Sequence, residues 1–213
     1  SHIANVLSPL QVGVCVPNGC EAIVHSVNSI LENDSTPADK KWILMVDFYN
    51  AFNSIDRLSV LEETHSRVPS IAAWMETCYC GESPLFFGEH AIPSRSGVHQ
   101  GDPLGPLGFA LGLHPLIEQI EREVPGLLIN TWFLDDGTIC GSPSDLLKAL
   151  SIIESEGPPR GLVLNRDKCL VHIPHSSSAP NPLPSDIPTS SDGFVLLGCP
   201  IGPSSLRNSF TLD

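Results

Sequence analysis

Between two apolar runs, LLINTWFL (127–134) and GTICG (137–141), the chain sets two carboxylates side by side, Asp135 and Asp136, with Gly137 behind them. Asp-Gly between apolar runs is a hairpin signal, so the spacing predicts two strands joined at Asp135-Asp136-Gly137 with both acids at the tip. A second apolar run of strand length, Trp42 to Val46, terminates at a third acid, Asp47. Brought together, the three would repel: unit charges about 4 Å apart cost roughly 4 kcal/mol at an effective dielectric near 20. Such a cluster needs cations or protons, and no positive partner stands nearby in sequence. Oxygen-rich sites of this kind suit Mg²⁺, or Mn²⁺ in its place, and two such ions serve phosphoryl transfer by stabilising attacking and leaving oxygens. On its own an Asp-Asp-Gly is more often a surface hairpin turn, and a strand-terminal Asp is usually a cap or a solvated loop residue.

The remaining pattern alternates helices with short strands and has no internal repeat. Ile23, Val27, Ile30 and Leu31 fall on one helical face of residues 21–32, after the turn-forming Pro17-Asn18-Gly19. Ser59 and Glu62 have capping-box spacing, and Ser70 can cap a second helix carrying Ile71, Trp74, Met75 and Cys78. Residues 84–98 read as a strand pair, and Asp102-Pro103 opens a helix to about Ile120. Gly105, Gly108 and Gly112 share one side of that helix, each weakening it by roughly 1 kcal/mol against alanine, so something must approach the bare face closely. Ser142-Pro143-Ser144-Asp145 starts a helix through about Glu156, and a strand is expected between Gly161 and Ile173. Residues 174–192 are Pro- and Ser-rich and are expected to form an exposed, mobile loop, followed by a last strand, Phe194 to Leu197.

With 213 residues and 41% hydrophobic content, one core can form without metals or disulfides. No apolar run reaches membrane-spanning length and no signal-peptide pattern opens the chain, so an intracellular protein is expected. The seven cysteines show no zinc-type spacing and read as reduced thiols, mostly in the core. His172 and His175 would face opposite sides of a strand and read as surface residues. Net charge is −13, and the eleven basic residues are scattered. A grip on nucleic-acid phosphates requires clustered Lys and Arg, so it must lie elsewhere if this chain handles nucleic acid.

Six segments in order resemble those of reverse transcriptases of the non-LTR retrotransposon kind. VDFYNAFNSIDR (46–57) resembles motif A, SGVHQGDPLGPLGFAL (96–111) motif B, and WFLDDGTICG (132–141) motif C. GLVLNRDKC (161–169) is similar to motif D, FVLLGCPIG (194–202) to motif E, and VGVCVPNGCEAIVHSVN (12–28) to the segment preceding motif A. The resemblance implies an RNA-directed DNA polymerase with an α+β palm: a small antiparallel sheet carrying the aspartates, helices packed on its other face, and partial fingers. It divides the chain into a partial fingers segment (1–40), the palm (41–173), the Pro/Ser loop (174–192), and the motif E strand with a C-terminal tail (193–213).

Position by position, it implies Asp47 and Asp135 as metal ligands with Asp136 auxiliary, and Lys168 as the acid that protonates or neutralises departing pyrophosphate. Phe48, Phe52, Gln100 and Gly101 would bind substrate, Phe52 by closing the sugar site against a ribose 2′-hydroxyl, and Leu197 and Gly198 would support the primer end. Tyr49 departs from the small residue usual at its place. The implied partners are an RNA template, a DNA primer, deoxynucleoside triphosphates, and the fingers and thumb segments of a parent protein, with a nuclear location if the parent element is mobile. Residues 1–213 alone are expected to fold at least in part and to polymerise poorly. Two other classes fit less of the pattern: a non-catalytic interaction module from a degenerate element, and an RNA-directed RNA polymerase.

Overall fold

The computed structural model describes residues 2–99 and 101–203. Helix α1 (His2–Leu7) leads through an extended stretch to α2 (Gly19–Glu32), which starts after Asn18 in the left-handed conformation (φ 56) and buries Ile23 and Val27. Strand β1 (Trp42–Val46) follows, and its unbroken apolar sequence has a physical reason. Trp42, Leu44 and Val46 enter one core while Ile43 and Met45 enter another, so this strand is covered on both faces.

After β1 come α3 (Ala51–Ser54), α4 (Arg57–Arg67) and α5 (Ala72–Tyr79). The capping box at Ser59 does not form. Asp56 caps α4 instead, accepting from the Ser59 N–H at 2.7 Å, because an Asp three residues upstream uses that same amide as its partner. Ser70 caps nothing: Pro69–Ile71 form a tight turn that runs straight into α5, and Trp74 stays 60% exposed. The hairpin of β2 (Ser83–Phe87) and β3 (His90–Ser94) precedes α6 (Gly105–Glu123), where Asp102 accepts from the Leu104 N–H at 2.9 Å. The chain continues through β4 (Ile129–Phe133), β5 (Asp136–Gly141) and α7 (Pro143–Glu156), with Ser142 capping α7 by accepting from the Asp145 N–H. It ends in β6 (Leu170–His172), β7 (Thr189–Ser190), β8 (Phe194–Leu196) and β9 (Cys199–Ile201).

Five strands form the main sheet in the order β4-β5-β1-β6-β7, antiparallel except for the β6–β7 pair. Residues of α6 and α7 share one core with Trp42, Leu44 and Val46. The opposite face is not bare: Ile23 and Val27 of α2 and the β8–β9 hairpin pack there against Ile43 and Cys140. The expected α+β sheet with packed helices is thus present, with α2 on one face and residues 10–12 along its β4 edge. Within α6, Gly108 and Gly112 face close-packed side chains of neighbouring elements. A Cβ on Gly108 would lie 2.7 Å from Met75 Cε, and one on Gly112 would lie 2.9 Å from both Ile55 and Val60.

Other expectations are corrected. The strand anticipated over 161–173 is regular only at Leu170–His172, because Asn165 turns back to β1, donating its N–H to Asp47 O at 2.9 Å. The Pro/Ser segment is not free of the core: Leu183 and Ile187 are buried, and Ser177 accepts from Trp42 Nε1 at 2.8 Å. His172 is buried against Phe194, while His175 is exposed and paired with Asp192. Of the cysteines only Cys140 and Cys169 are buried. Among the described residues, no helix is long and apolar enough to cross a membrane.

Candidate active site

The carboxylates converge because β1 and β5 are neighbours. Their pairing runs to Val46 opposite Gly137, so Asp47 and Asp136 are the next residues outward on the two paired chains. The turn, however, is not Asp-Asp-Gly. Phe133 pairs with Asp136, so the two turn residues are Leu134 and Asp135, and Asp136 begins a strand. Leu134 takes the left-handed conformation (φ 58), which costs roughly 1–2 kcal/mol for a residue with a side chain. What overrides the local Asp-Gly preference is Gln11: its Oε1 accepts from the Leu134 N–H at 2.8 Å, and its Nε2 donates to Leu134 O at 3.0 Å.

Asp47 and Asp135 line one cavity of about 340 Å³ with Phe48, Phe52, Asn165 and Lys168. Asp47 is fixed through its backbone, its N–H lying 3.4 Å from Cys169 Sγ and its carbonyl accepting from Asn165. Its Oδ1 is buried with no hydrogen-bond partner among the described residues, an unusual state for a carboxylate oxygen. Desolvation pushes the Asp135 carboxyl up, its own backbone N–H opposes this, and the charge of Asp47 adds to it. The Asp136 carboxyl is pushed up to about 6, by desolvation first and then by the charges of Asp135 and Asp47. Since the residue as a whole keeps solvent access, the two neighbouring charges are the part that a cation would relieve. Lys168 lines the same cavity.

Among the described residues, no three His, Cys, Asp or Glu groups form a ready-made metal cage. A hard cation does not require one: Mg²⁺ binds through one or two carboxylates and keeps its remaining positions for water and phosphate oxygens. Two carboxylates on one cavity, one with an orphaned oxygen, fit that requirement.

Phe52 reaches the cavity and lies flat on Phe109, ring centroids 4.4 Å apart. Phe48 touches the cavity with little of its surface: it is 4% exposed and stacks on Trp132. Gly101 sits at φ 89 with open space where a side chain would be. Gln100 lies outside the described residues. Leu197 (φ 48) and Gly198 (φ 80) form the two-residue turn between β8 and β9 and do not line the aspartate cavity.

Sequence reasoning missed Gln11, Asn165, Cys169, Phe109 and Arg57. The Arg57 guanidinium is buried without a carboxylate partner among the described residues, donating to Gly97 O at 2.8 Å and to Ser94 O and Oγ at 2.8 and 2.7 Å. It also lies over the Tyr79 ring, whose hydroxyl donates to Asp102, so one network holds both ends of the segment that precedes α6. The only sequence signal was the arginine's place just after Asp56, which reads as an ordinary exposed helix start.

A sequence profile of the family described as reverse transcriptase (RNA-dependent DNA polymerase) matches residues 2–201. The chain is 28% identical over 138 residues to the retrotransposable element SLACS 132 kDa protein of Trypanosoma brucei gambiense, covering 62% of this chain and 12% of that protein. It is 26% identical over 178 residues to the Pol polyprotein of the type-2 retrotransposable element R2DM of Drosophila melanogaster, covering 76% and 16%. The matched regions therefore span well under a quarter of these relatives. Among solved structures, an apo telomerase from Candida tropicalis truncated from its C-terminal domain superposes with a TM-score of 0.66 at 13% identity, over 96% of this chain and 42% of that one. A telomerase from Candida albicans in complex with a fragment of telomeric RNA gives 0.64 at 12% identity, over 96% and 37%. At such identity the likeness is one of fold.

Proposed function

Since the chain belongs to the reverse transcriptase (RNA-dependent DNA polymerase) family, we propose that it is the palm-centred part of an RNA-directed DNA polymerase of a non-LTR element. The observation that carries this reading is the shared cavity of Asp47, Asp135, Phe52 and Lys168, with Asp47 Oδ1 buried and unpartnered. Asp47 and Asp135 would hold the divalent cation, Mg²⁺ or Mn²⁺, with Asp136 adding charge from the neighbouring strand position. A cation bound there supplies charge neutralisation for the attacking 3′-oxygen and the leaving pyrophosphate. The bond formed joins the primer 3′-oxygen to the α-phosphorus of a deoxynucleoside triphosphate; the bond broken releases pyrophosphate.

Lys168, on the same cavity, would give its proton or its charge to that leaving group. Phe52 would close the sugar site against a 2′-hydroxyl, and Gly101, with open space in place of a side chain, would let template or nucleotide approach the backbone. Gln100 is proposed to act beside it, and Leu197 and Gly198 to meet the primer end. With a net charge of −13, the chain would rely on basic segments of a longer protein to grip template and primer, and the reaction would take place in the nucleus if the element is mobile.

Single-nucleotide incorporation on an RNA template annealed to a DNA primer, measured in a longer protein that supplies the basic grip, tests the reading. Asp47→Asn and Asp135→Asn are each expected to reduce incorporation on the order of a thousandfold, about 4 kcal/mol of transition-state stabilisation. Unchanged incorporation by either variant would overturn the assignment.

A further inference from the structure

We propose that Gln11 is a positioning residue for the aspartate turn, its buried carboxamide clamping the backbone of Leu134 and so setting where Asp135 stands relative to Asp47. The inference rests on the metal-site reading above and adds a residue outside the acidic cluster. Gln11 is fully buried, and a buried primary amide is costly unless its donor and acceptor are both used. Here they are. Nε2 donates to Leu134 O at 3.0 Å, and Oε1 accepts from the N–H groups of Leu134 at 2.8 Å and Gly13 at 3.1 Å.

The carboxamide arrives there because residues 10–12 run along the free edge of β4. Trp132 N–H donates to Leu10 O at 2.7 Å and Val12 N–H to Trp132 O at 2.8 Å, a parallel pairing centred on Gln11. The approach is close enough to exclude a side chain at the next step: a Cβ on Gly13 would lie 2.6 Å from Leu134 N and 2.8 Å from Leu134 Cγ. Leu134 meanwhile holds φ 58, a conformation that a branched side chain leaves unless its surroundings fix it. Its N–H and C=O lie in the turn between Phe133 and Asp136, beyond the strand ladder, so the glutamine takes the part of the absent strand partner. Asp135 is the next residue, and any relaxation of Leu134 toward negative φ swings it. An amide is required because the clamp needs one donor and one acceptor; a carboxylate would leave Leu134 O unmatched and add a charge beside two others.

The test measures Mn²⁺ binding to the chain by the loss of the free-ion electron paramagnetic resonance signal, alongside steady-state incorporation kinetics. Gln11→Met keeps length and flexibility without donor or acceptor, Gln11→Glu keeps only the acceptor, and Gly13→Ala keeps the carboxamide but forces the same seam apart, its Cβ falling 2.6 Å from Leu134 N and 3.1 Å from Gln11 Oε1. All three are expected to weaken Mn²⁺ binding roughly tenfold to a hundredfold, as loss of a residue that orients a ligand does. They should lower kcat while leaving the KM for deoxynucleotide nearly unchanged. Asp135→Asn serves as the control. If it loses Mn²⁺ while Gln11→Met binds like the wild type, the positioning role is overturned and the metal site stands. If Asp135→Asn itself binds like the wild type, the metal site falls and this inference with it. Hydrogen exchange on the unaltered chain decides the matter even where a variant fails to fold. The Leu134 amide is expected to exchange as slowly as the amides of β4, and exchange at the rate of a solvent-open turn overturns the clamp.

Discussion

The ring of Phe52 lies flat on that of Phe109, centroids 4.4 Å apart and planes 9° from parallel. Phe109 is fully buried in α6, so Phe52 on the cavity is backed by the main core, and in its proposed role as sugar gate it would not retreat from a bulkier sugar. Phe52→Ala is expected to admit ribonucleotides, shifting the preference for deoxynucleotides by about 10- to 200-fold, the range a small steric difference supplies. Phe109→Leu keeps the gate ring but loosens its backing. It should relax discrimination less and lower stability by about 1 kcal/mol through loss of the ring pair. Competition between ribo- and deoxynucleotides at one template position, with urea unfolding of both variants, checks each part.

Crowding of acids at the turn makes a prediction with a definite sign. The Asp136 carboxyl is pushed up to about 6, above the ordinary carboxylate value. Between the two values the folded chain keeps a proton that the unfolded chain has released, so this group costs stability as pH rises through the window. Asp136→Asn is therefore expected to raise the urea midpoint above about pH 7 and to change it little below about pH 4. Mn²⁺ or Mg²⁺ should raise the midpoint of the wild type at neutral pH and do so far less for Asp135→Asn, because only binding to the folded state stabilises.

Two buried histidines act with the opposite sign. His114 is held below its ordinary value by desolvation first, against the pull of Glu118 and with a push from Arg67. His172 is lowered by desolvation too, opposed by its bond to the Ser190 backbone and reinforced by His175. Both therefore gain a proton more readily when unfolded, and the stability they contribute is present above the ordinary histidine value and lost as pH falls below it. The urea midpoint of Asp136→Asn, in which the opposing carboxylate is gone, is expected to drop between about pH 7 and pH 5.5. His172→Gln added to that variant should flatten the drop, and an unchanged slope would sink the assignment.

How legible each feature was follows from the range over which it is determined. Asp47 could be placed at a strand end because a strand covered on both faces has to read as an apolar run, as Trp42 to Val46 does. The start of α7 was equally local, since Ser142, Pro143 and Asp145 cap it within one turn. The aspartate turn was located to the right stretch but shifted, because Asp-Gly chemistry acts locally while Gln11 acts from the far end of the chain. The Pro/Ser segment hid its anchors: Leu183 and Ile187 are isolated apolar residues without a period, and only the core that receives them gives them meaning. His172 misled for a related reason, since strand alternation does not predict that both faces of β6 are covered.

The glycines of α6 show the same limit and lead to a paired prediction. Their spacing announced a close approach without saying by what, and the structure answers with α4, Ile55 and α5. A Cβ at Gly108 would meet Met75 Cε at 2.7 Å, the free end of a flexible side chain, with Val60 Cγ1 next at 3.2 Å. At Gly112 it would meet Ile55 Cδ1 and Val60 Cγ2, both at 2.9 Å, with Val60 Cα behind them at 3.5 Å. Replacing a helical glycine by alanine gains about 1 kcal/mol in backbone entropy, whereas overfilling a packed interface costs about 1–3 kcal/mol. Methionine can swing aside, so Gly108→Ala is expected to be neutral within about 0.5 kcal/mol. Val60 is stiff at χ1 and its backbone blocks retreat, so Gly112→Ala is expected to destabilise by about 1–2 kcal/mol. Urea unfolding of the two variants side by side settles it: equal effects would mean that α4 moves as a unit and the local geometry at Val60 does not decide the sign.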